Sequence, residues 1–521
     1  MIEQTKRENT KTMLHRNEKL KYKIIFSSFI VGLMVGGIII VYRLIGQRLF
    51  EHYFDLITRP NLTTKHILLI FAALILASLF VSFCVKQEPQ ISGSGIPQIK
   101  GIVTRKLEVN WWKVLIYKFF GGAVCLACGL SVGREGPSVQ MGGAVGEGYS
   151  KLTNKYDYEH KYLITSGACA GLAAAFNAPF AGIMFGLEEV HKNFSPIGLI
   201  SAMVASVTAD VTAKSILGIR PALSFDQLEV LPVHYYWVLV LLGVVAGLSS
   251  YLFNHGIVFS KTTFSKWKVP TSCKIAIPFL MSGVLGLLFP AVLGGGHHLI
   301  MDMNVAQTSI LTVSVILCIK YVYTFISFGS GVPGGIFFPL LALGALIGNI
   351  VGLIGIYYLG IPEVYLVNFT ILAMAGHFAA IVKAPMTAVI LIFEMTGSFA
   401  QLLPLVLVVL VAMITSDLAK VKPIYDALLE RILKTEPTPY KGQKNNKTLL
   451  ELSVHLQSFV AGKRIKEITW PKNCLLVAIK RGTEEIIPKG DTMIIEGDML
   501  LIIVNQEESE YMLEELSSLT S

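Results

Sequence analysis

SVGREGPSVQMGG, residues 131–143, interrupts a long apolar stretch with a charge pair and a helix-breaking cluster. Arg134 and Glu135 are adjacent, Gly133 and Gly136 bracket them, and Pro137 follows. The surrounding chain is 53% hydrophobic and 15% charged over 521 residues. Its mean hydropathy is +0.61, whereas a soluble domain carries roughly a quarter charged residues. Apolar runs at 25–42, 66–84, 272–293 and 335–359 are each long enough to cross ~30 Å of hydrocarbon. The class is an all-α polytopic membrane protein. In lipid, an unsatisfied backbone N–H costs several kcal/mol. A glycine-proline break at membrane depth therefore predicts a helix that starts inside a protein-lined or wet cavity.

Two more breaks have the same grammar: SGSGIPQIKG (92–101) and GSGVPGGIFFPLLALG (329–344). Glycine permits the tight turn, and proline suits a first helical turn because its missing N–H is not needed there. At an offset of 202, Lys118 falls on Lys320, Gly133 on Gly335, Pro137 on Pro339, Gly142 on Gly344 and Gly146 on Gly348. At 206, AAAFNAPFAGIMFGLEE (173–189) meets AAIVKAPMTAVILIFEM (379–395), pairing Pro179 with Pro385 and Glu188 with Glu394. GSGIP (93–97) echoes GSGVP (329–333) outside that register. The fold expectation is two repeats, about 24–217 and 233–425, built on broken helices. The alignment alone leaves their relative direction open, and transporters with midplane sites favour inversion. Each broken helix aims about half a positive charge and free N–H donors at its starting point. Several such ends make an anion site without a full cation in contact. Lys118, Arg134 and Lys320 are expected to supply a positive field from further away.

Residues 1–23 hold seven Lys/Arg against three Glu. This polar lead is too long for a cleavable signal and is expected in the cytoplasm. The net charge of +9 then reflects membrane topology, and no nucleic-acid polymer is expected as a partner. Cys125 and Cys128 read as packing residues, and His297-His298 as a loop; no metal centre is expected. Residues 434–447 read as a linker between the membrane part, 24–433, and a small α/β domain, 448–521, with the C-terminus cytoplasmic. Strands are predicted at 475–479, 484–488, 492–496 and 498–504, followed by an amphipathic helix. No nucleophile–base pair or phosphate loop is found, so enzymatic activity and organic cofactors are not expected.

The GREGP and GGIFFP stretches, together with GSGIP, resemble the CLC chloride channels and proton-coupled chloride transporters. The resemblance covers most of 25–434. It implies a homodimer in the cell membrane, each subunit having its own pathway between inverted halves. By that pattern Ser94 and Gly95, the backbone N–H groups of Ile336 and Phe337, and the Tyr425 phenol would hold chloride. Ser94 at its position favours chloride over nitrate. Glu135 would be gate and outer proton acceptor, since a carboxylate on a flexible tether can occupy an anion site and must leave once protonated. Glu189 would be the inner proton station, pointing to secondary active chloride/proton exchange. The alternative is a passive voltage- or pH-gated chloride channel. Gln98 and Lys100 depart from the pattern of many relatives, which carry Glu after GSGIP. Residues 461–498 are similar to the TrkA-C, or RCK-C, type. That implies a dimeric regulatory domain or structural brace, with a small nucleotide such as cyclic di-AMP as a candidate ligand near Arg481, Ile487 and Pro488. A cation channel, suggested by that domain alone, lacks a TVGYG-type filter loop.

Overall fold

The computed structural model describes residues 2–154, 157–192, 195–218, 223, 229–302, 309–398, 401–435, 447–455, 458–482, 484–505 and 509–520. The chain divides into two units, Met1–Pro439 and Tyr440–Ser521.

The first unit is helical, and its helix order repeats. The first half comprises α1 (Ile2–Ile57), α2 (Thr64–Gln87), α3 (Ile96–Val103), α4 (Trp111–Ala127), α5 (Glu135–Leu152), α6 (Asp157–Phe176), α7 (Pro179–Phe185) and α8 (Pro196–Leu217). The second comprises α9 (Tyr236–Lys266), α10 (Thr271–Leu288), α11 (His297–Asp302), α12 (Ile310–Gly329), α13 (Phe337–Leu359), α14 (Leu366–Val382), α15 (Pro385–Thr396) and α16 (Leu402–Leu418). A last helix, α17, covers Ile424–Thr435. Among the described residues, eight helices are long and apolar enough to cross a membrane. The α1 backbone runs through the basic N-terminal segment without a break. His297 and His298 open α11 rather than lying in a loop, the preceding Gly296 turning the chain at φ +112°.

The halves are inverted. Gly133 and Gly335, equivalent at the 202 offset, donate to each other's carbonyls at 2.7 and 2.8 Å as an antiparallel pair. Such reciprocity is the mark of a two-fold axis between them. The same symmetry recurs at the far ends of the repeats. The Glu188 carboxylate accepts from the Met386 and Thr387 N–H groups at 3.2 and 2.8 Å, capping α15. Glu394 accepts from Phe180 and Ala181 at 3.1 and 2.7 Å, capping α7. Each acid thus satisfies the free donors and positive end of the other half's helix.

Close helix crossings follow from small residues. Added Cβ atoms at Gly142 and Gly146 would run into the Gly167 and Leu163 carbonyls of α6. Gly344 and Gly348 make the equivalent approach of α13 to α14. A backbone can come this close only where the approaching position carries no side chain, a common solution in lipid. The central spans Phe337–Leu359 and Glu363–Val382 are 83% buried, against 28% for the peripheral Thr64–Gln87.

The second unit is an antiparallel sheet in the order β1-β4-β2-β3, with β1 (Lys447–Ser453), β2 (Cys474–Arg481), β3 (Glu484–Ile486) and β4 (Met499–Asn505), and a helix α18 (Ser509–Thr520). Strand β1 was not expected; it pairs with β4 from Lys447↔Asn505 to Ser453↔Met499. The predicted strand at 492–496 is instead an irregular crossing, bridged only at Arg464↔Met493, and it turns at Gly497, φ +83°. The expected linker starts inside α17, which runs to Thr435; residues 436–446 lie outside the described ones.

Arg481 grips the buried Asp498 with Nε and one Nη, both at 2.8 Å, and the same Nη donates to the Met493 carbonyl. Burial pushes the Asp498 carboxyl up, but the Arg481 fork and the Ile495 N–H outweigh it and hold it below its ordinary value. The stabilisation is therefore complete above the unfolded aspartate value of ~3.9 and is lost as pH falls through the lower folded one. Arg481 is partly solvated, which limits the pair to about 1–2 kcal/mol. Asp498→Asn is expected to speed amide hydrogen exchange in β2 and β4 about tenfold at neutral pH. Its exchange should also lose the parent's acid-side rise in the same measurement.

Candidate functional site

The three glycine-proline breaks converge. Gly93 N–H donates to the Val332 carbonyl at 3.0 Å, and Gly334 N–H returns a bond to Gly93 at 3.1 Å. With the Gly133–Gly335 pair, this ties the starts of α3, α5 and α13 together. Gly95 caps α3 at φ +91°, a left-handed conformation that favours glycine, and a Cβ there would also meet the Gln140 side chain. A Cβ on Gly136 would lie 2.5 Å from Ser94 Oγ. The Ser94 hydroxyl is therefore at the head of α5 as well as α3.

Ile336 caps α13 and Phe337 is its first residue. The Phe337 ring packs against Phe176, Phe185 and Phe378, at 5.3, 6.0 and 4.6 Å between centroids. Phe185 in turn packs edge-on against Tyr425, 6.4 Å away. Ser94, Glu135, Ile336, Phe337 and Tyr425 are all buried, none more than 2% exposed. The Tyr425 phenol faces the Ser94 hydroxyl, yet neither oxygen has a hydrogen-bond partner. Two buried hydroxyls without partners, beside three helix starts, form a pocket of donors. An anion would satisfy both.

Glu135 stands on the first turn of α5. Its carboxylate faces its own backbone N–H and that of Phe338 in α13. Neither oxygen completes a well-aligned hydrogen bond. Arg134 Nε lies 3.8 Å from Oε1, an ion-pair distance without a hydrogen bond. A Cβ at Gly133 would collide with Oε2 of Glu135, so glycine there leaves room for the acid. The carboxylate is thus held loosely at the head of another helix.

Two cavities approach this point. One, of about 220 Å³, is lined by Arg43, Arg134, Glu135, His297, His298 and Phe338 among others. The other, of about 370 Å³, is lined by Ser94, Gln98, Lys261, Lys274, Phe328 and Arg431 among others. Glu135 fronts the first and Ser94 the second.

The two predicted lysines stand apart from Glu135, whereas Arg134 lines the same cavity as that acid. Lys118 Nζ donates to the Ile91 and Gly93 carbonyls at 2.7 and 2.6 Å. Lys320 Nζ donates to Val292 and Gly294 at 2.8 and 2.6 Å. Both are fully buried and hold the loops that precede α3 and α11. These bonds show that the repeat counterpart of the 93–97 turn is the Gly294–Gly296 turn, not 329–333. Gln98 and Gln140 fix the same strap: Gln98 donates to the Gln90 and Ser92 carbonyls, and Gln140 to Gln90.

Glu189 lies on a π-helical turn, Gly186–His191, of a kind frequent at functional sites. Its carboxylate is 2.7 Å from Lys100 Nζ, which also contacts Asp426 Oδ1. Lys192 holds the other Asp426 oxygen at 2.9 Å. Tyr425 is within electrostatic reach of both Glu135 and Glu189. Asp426 and the roles of Glu188 and Glu394 were missed from sequence. The 206 offset already paired the two glutamates, but nothing marked Asp426 as a partner of a lysine 326 positions earlier. In the second unit Arg481 is committed to Asp498, while Ile487 is 79% exposed.

Residues 74–417 match the family described as voltage gated chloride channel, and residues 449–517 match the TrkA-C domain. The chain is 38% identical over 355 residues to the H(+)/Cl(-) exchange transporter ClcA of Vibrio parahaemolyticus, covering 67% of this chain and 76% of that protein. With the ClcA of Vibrio cholerae it shares 35% over 437 residues, 80% of this chain and 92% of that one. A slow cyanobacterial Cl-/H+ antiporter superposes with a TM-score of 0.73 at 28% identity, over 79% of this chain and 98% of that chain. A eukaryotic CLC transporter, at 18% identity and a TM-score of 0.67 over 87% of this chain and 80% of that one, shares the fold.

Proposed function

The chain belongs to the voltage-gated chloride channel family, and from that premise we propose that it exchanges chloride for protons across a membrane as a secondary active antiporter. The observation that carries this is the Glu135 carboxylate, placed at the head of α13 in front of one cavity while Ser94 fronts the other.

Chloride rests among the Ser94 hydroxyl, the Tyr425 phenol and the N–H groups of Ile336 and Phe337, with Gly95 shaping the turn. Ionised Glu135 competes for the same positive helix end. Protonation removes its charge, the side chain withdraws, and an anion takes its place. The return of the carboxylate expels the anion and completes the exchange. Proton supply from the other side runs through Glu189, away from the anion line. Arg134 lends a positive field to the cavity in front of Glu135. Lys118 and Lys320 act through the loops they hold. All of these residues come from one chain, which fits one complete pathway per subunit in a homodimer. The Lys/Arg excess in 1–23 supports a cytoplasmic N-terminus in the cell membrane, and the C-terminus follows on that side.

The TrkA-C unit is assigned a regulatory role, with a small nucleotide such as cyclic di-AMP binding near the exposed Ile487–Pro488 surface. Arg481 shapes that surface through its hold on Asp498. Addition of the nucleotide to reconstituted protein should change the chloride flux; an unchanged flux would leave the unit a structural brace.

The test of exchange is paired flux in proteoliposomes. A chloride gradient should drive protons against a pH gradient. Glu189→Gln should retain chloride flux within a few-fold and lose at least about 90% of the driven proton flux, since a neutral amide cannot carry the proton. Chloride flux without any proton movement in the parent protein would convict the antiport reading and leave a channel.

A further inference from the structure

We propose that Lys100 is a positioning residue for proton transfer: it is shared between Glu189 and Asp426, and the balance of its hold on the two sets when Glu189 can take up a proton. The proposal rests on the antiport reading, because it concerns the inner proton acceptor.

The geometry is a four-membered row of alternating charge. Glu189 and Lys100 are 2% and 4% exposed. Asp426 and Lys192 follow, with side chains 31% and 51% exposed. The row therefore runs from the interior to solvent. Lys100 Nζ contacts both carboxylates at once, so it has two anchors available. The elements involved come from separate parts of the chain: α3 brings Lys100, the π-helical turn brings Glu189, and α17 brings Asp426. The other groups nearby are the Tyr425 phenol from α17, and His191 on the same turn. His191 is turned toward Thr165 and stacks on Tyr162 of α6, where Lys161 also lies. Glu188 is committed to α15. No other acid among the described residues is placed to replace Asp426 as the second anchor of Lys100.

With both carboxylates ionised, the row carries two negative and two positive charges. A proton arriving from water as hydronium forms one O–H bond to a Glu189 oxygen and leaves water behind. The attraction between Lys100 and Glu189 then falls away, but Lys100 stays charged and keeps Asp426. Glu189 is thereby released to pass the proton on toward Glu135. On its return as a carboxylate it recaptures Lys100. The lysine opposes loading and the aspartate favours it, so the two side chains have opposite signs in one equilibrium.

That opposition gives the test. Initial rates of chloride-driven proton flux are measured in proteoliposomes against pH on the Glu189 side, with chloride flux recorded in parallel. Lys100→Gln removes a cation next to Glu189 and should move the pH midpoint upward by about one unit or more. Asp426→Asn leaves two lysines facing one acid and should move it downward. Lys100→Arg keeps the charge and should stay near the parent midpoint, which guards against loss of folding in Lys100→Gln. Chloride flux in each variant reports the folded protein. Midpoints that stay put, or shift in the same direction for both variants, would overturn the proposal while leaving antiport intact. A parent protein that moves no protons would instead overturn the antiport reading on which it stands.

Discussion

Glu135→Ala is expected to abolish proton movement while chloride continues to flow down its gradient. Among the described residues, this carboxylate is the one acid that faces the heads of both α5 and α13. Removing it leaves the N–H donors and hydroxyls of the anion pocket in place and removes the group that blocks them. No neighbour can substitute: Arg134 has the wrong sign, and Glu189 belongs to the row with Lys100. Proton flux should fall at least about a hundredfold, the scale on which general acid–base groups contribute. Chloride flux should become indifferent to pH, because its gate no longer titrates. Glu135→Gln offers a second arm, a permanently neutral side chain of the same size. It should also lose protons, and its chloride rate separates steric from electrostatic blocking. Persistent pumping by Glu135→Ala in the paired flux assay would end the assignment of this residue as the gate.

The largest structural effect is expected at Gly142. A side chain there would drive into the Gly167 carbonyl across the α5–α6 crossing. Both partners are backbone, so neither can rotate out of the way. Overpacking a well-fitted crossing costs typically about 1–3 kcal/mol, more when backbone must move. The displaced helix is α5, whose head carries Glu135. Gly142→Val should therefore lower the thermal midpoint in detergent by many degrees or prevent accumulation in the membrane. Gly37→Val is the control, because a Cβ on Gly37 of α1 meets nothing within 4 Å. Equal behaviour of the two variants in a thermal unfolding assay would show that the crossing is not the constraint.

The convergence of three helix starts was legible because its signals are local. Glycine, proline and the charge pair mark breaks within a few residues, and the repeat offset identifies Gly133 with Gly335 before any contact is known. The direction of the repeat was not legible in the alignment, which is indifferent to orientation; only the family resemblance implied inversion. The mutual bonds of that glycine pair bear the inversion out. Lys100 stood out only as a departure, since its two acids arrive from distant segments through tertiary packing. In the second unit, TLLEL reads equally as helix or strand by periodicity, and only its pairing with β4 decides. TMIIE has strand composition but lies beside the Gly497 turn, where Asp498 bonds back to Ile495 and breaks the ladder.

The exchanged carboxylate clasps of Glu188 and Glu394 have a consequence for how such a molecule can come apart. A half-length chain would leave its own short helix uncapped and would carry an acid with no donor to meet. Two identical half-length chains, threaded into the bilayer in opposite senses, would supply each other with both. Holding both halves in one polypeptide, in opposite senses, makes that mutual supply permanent.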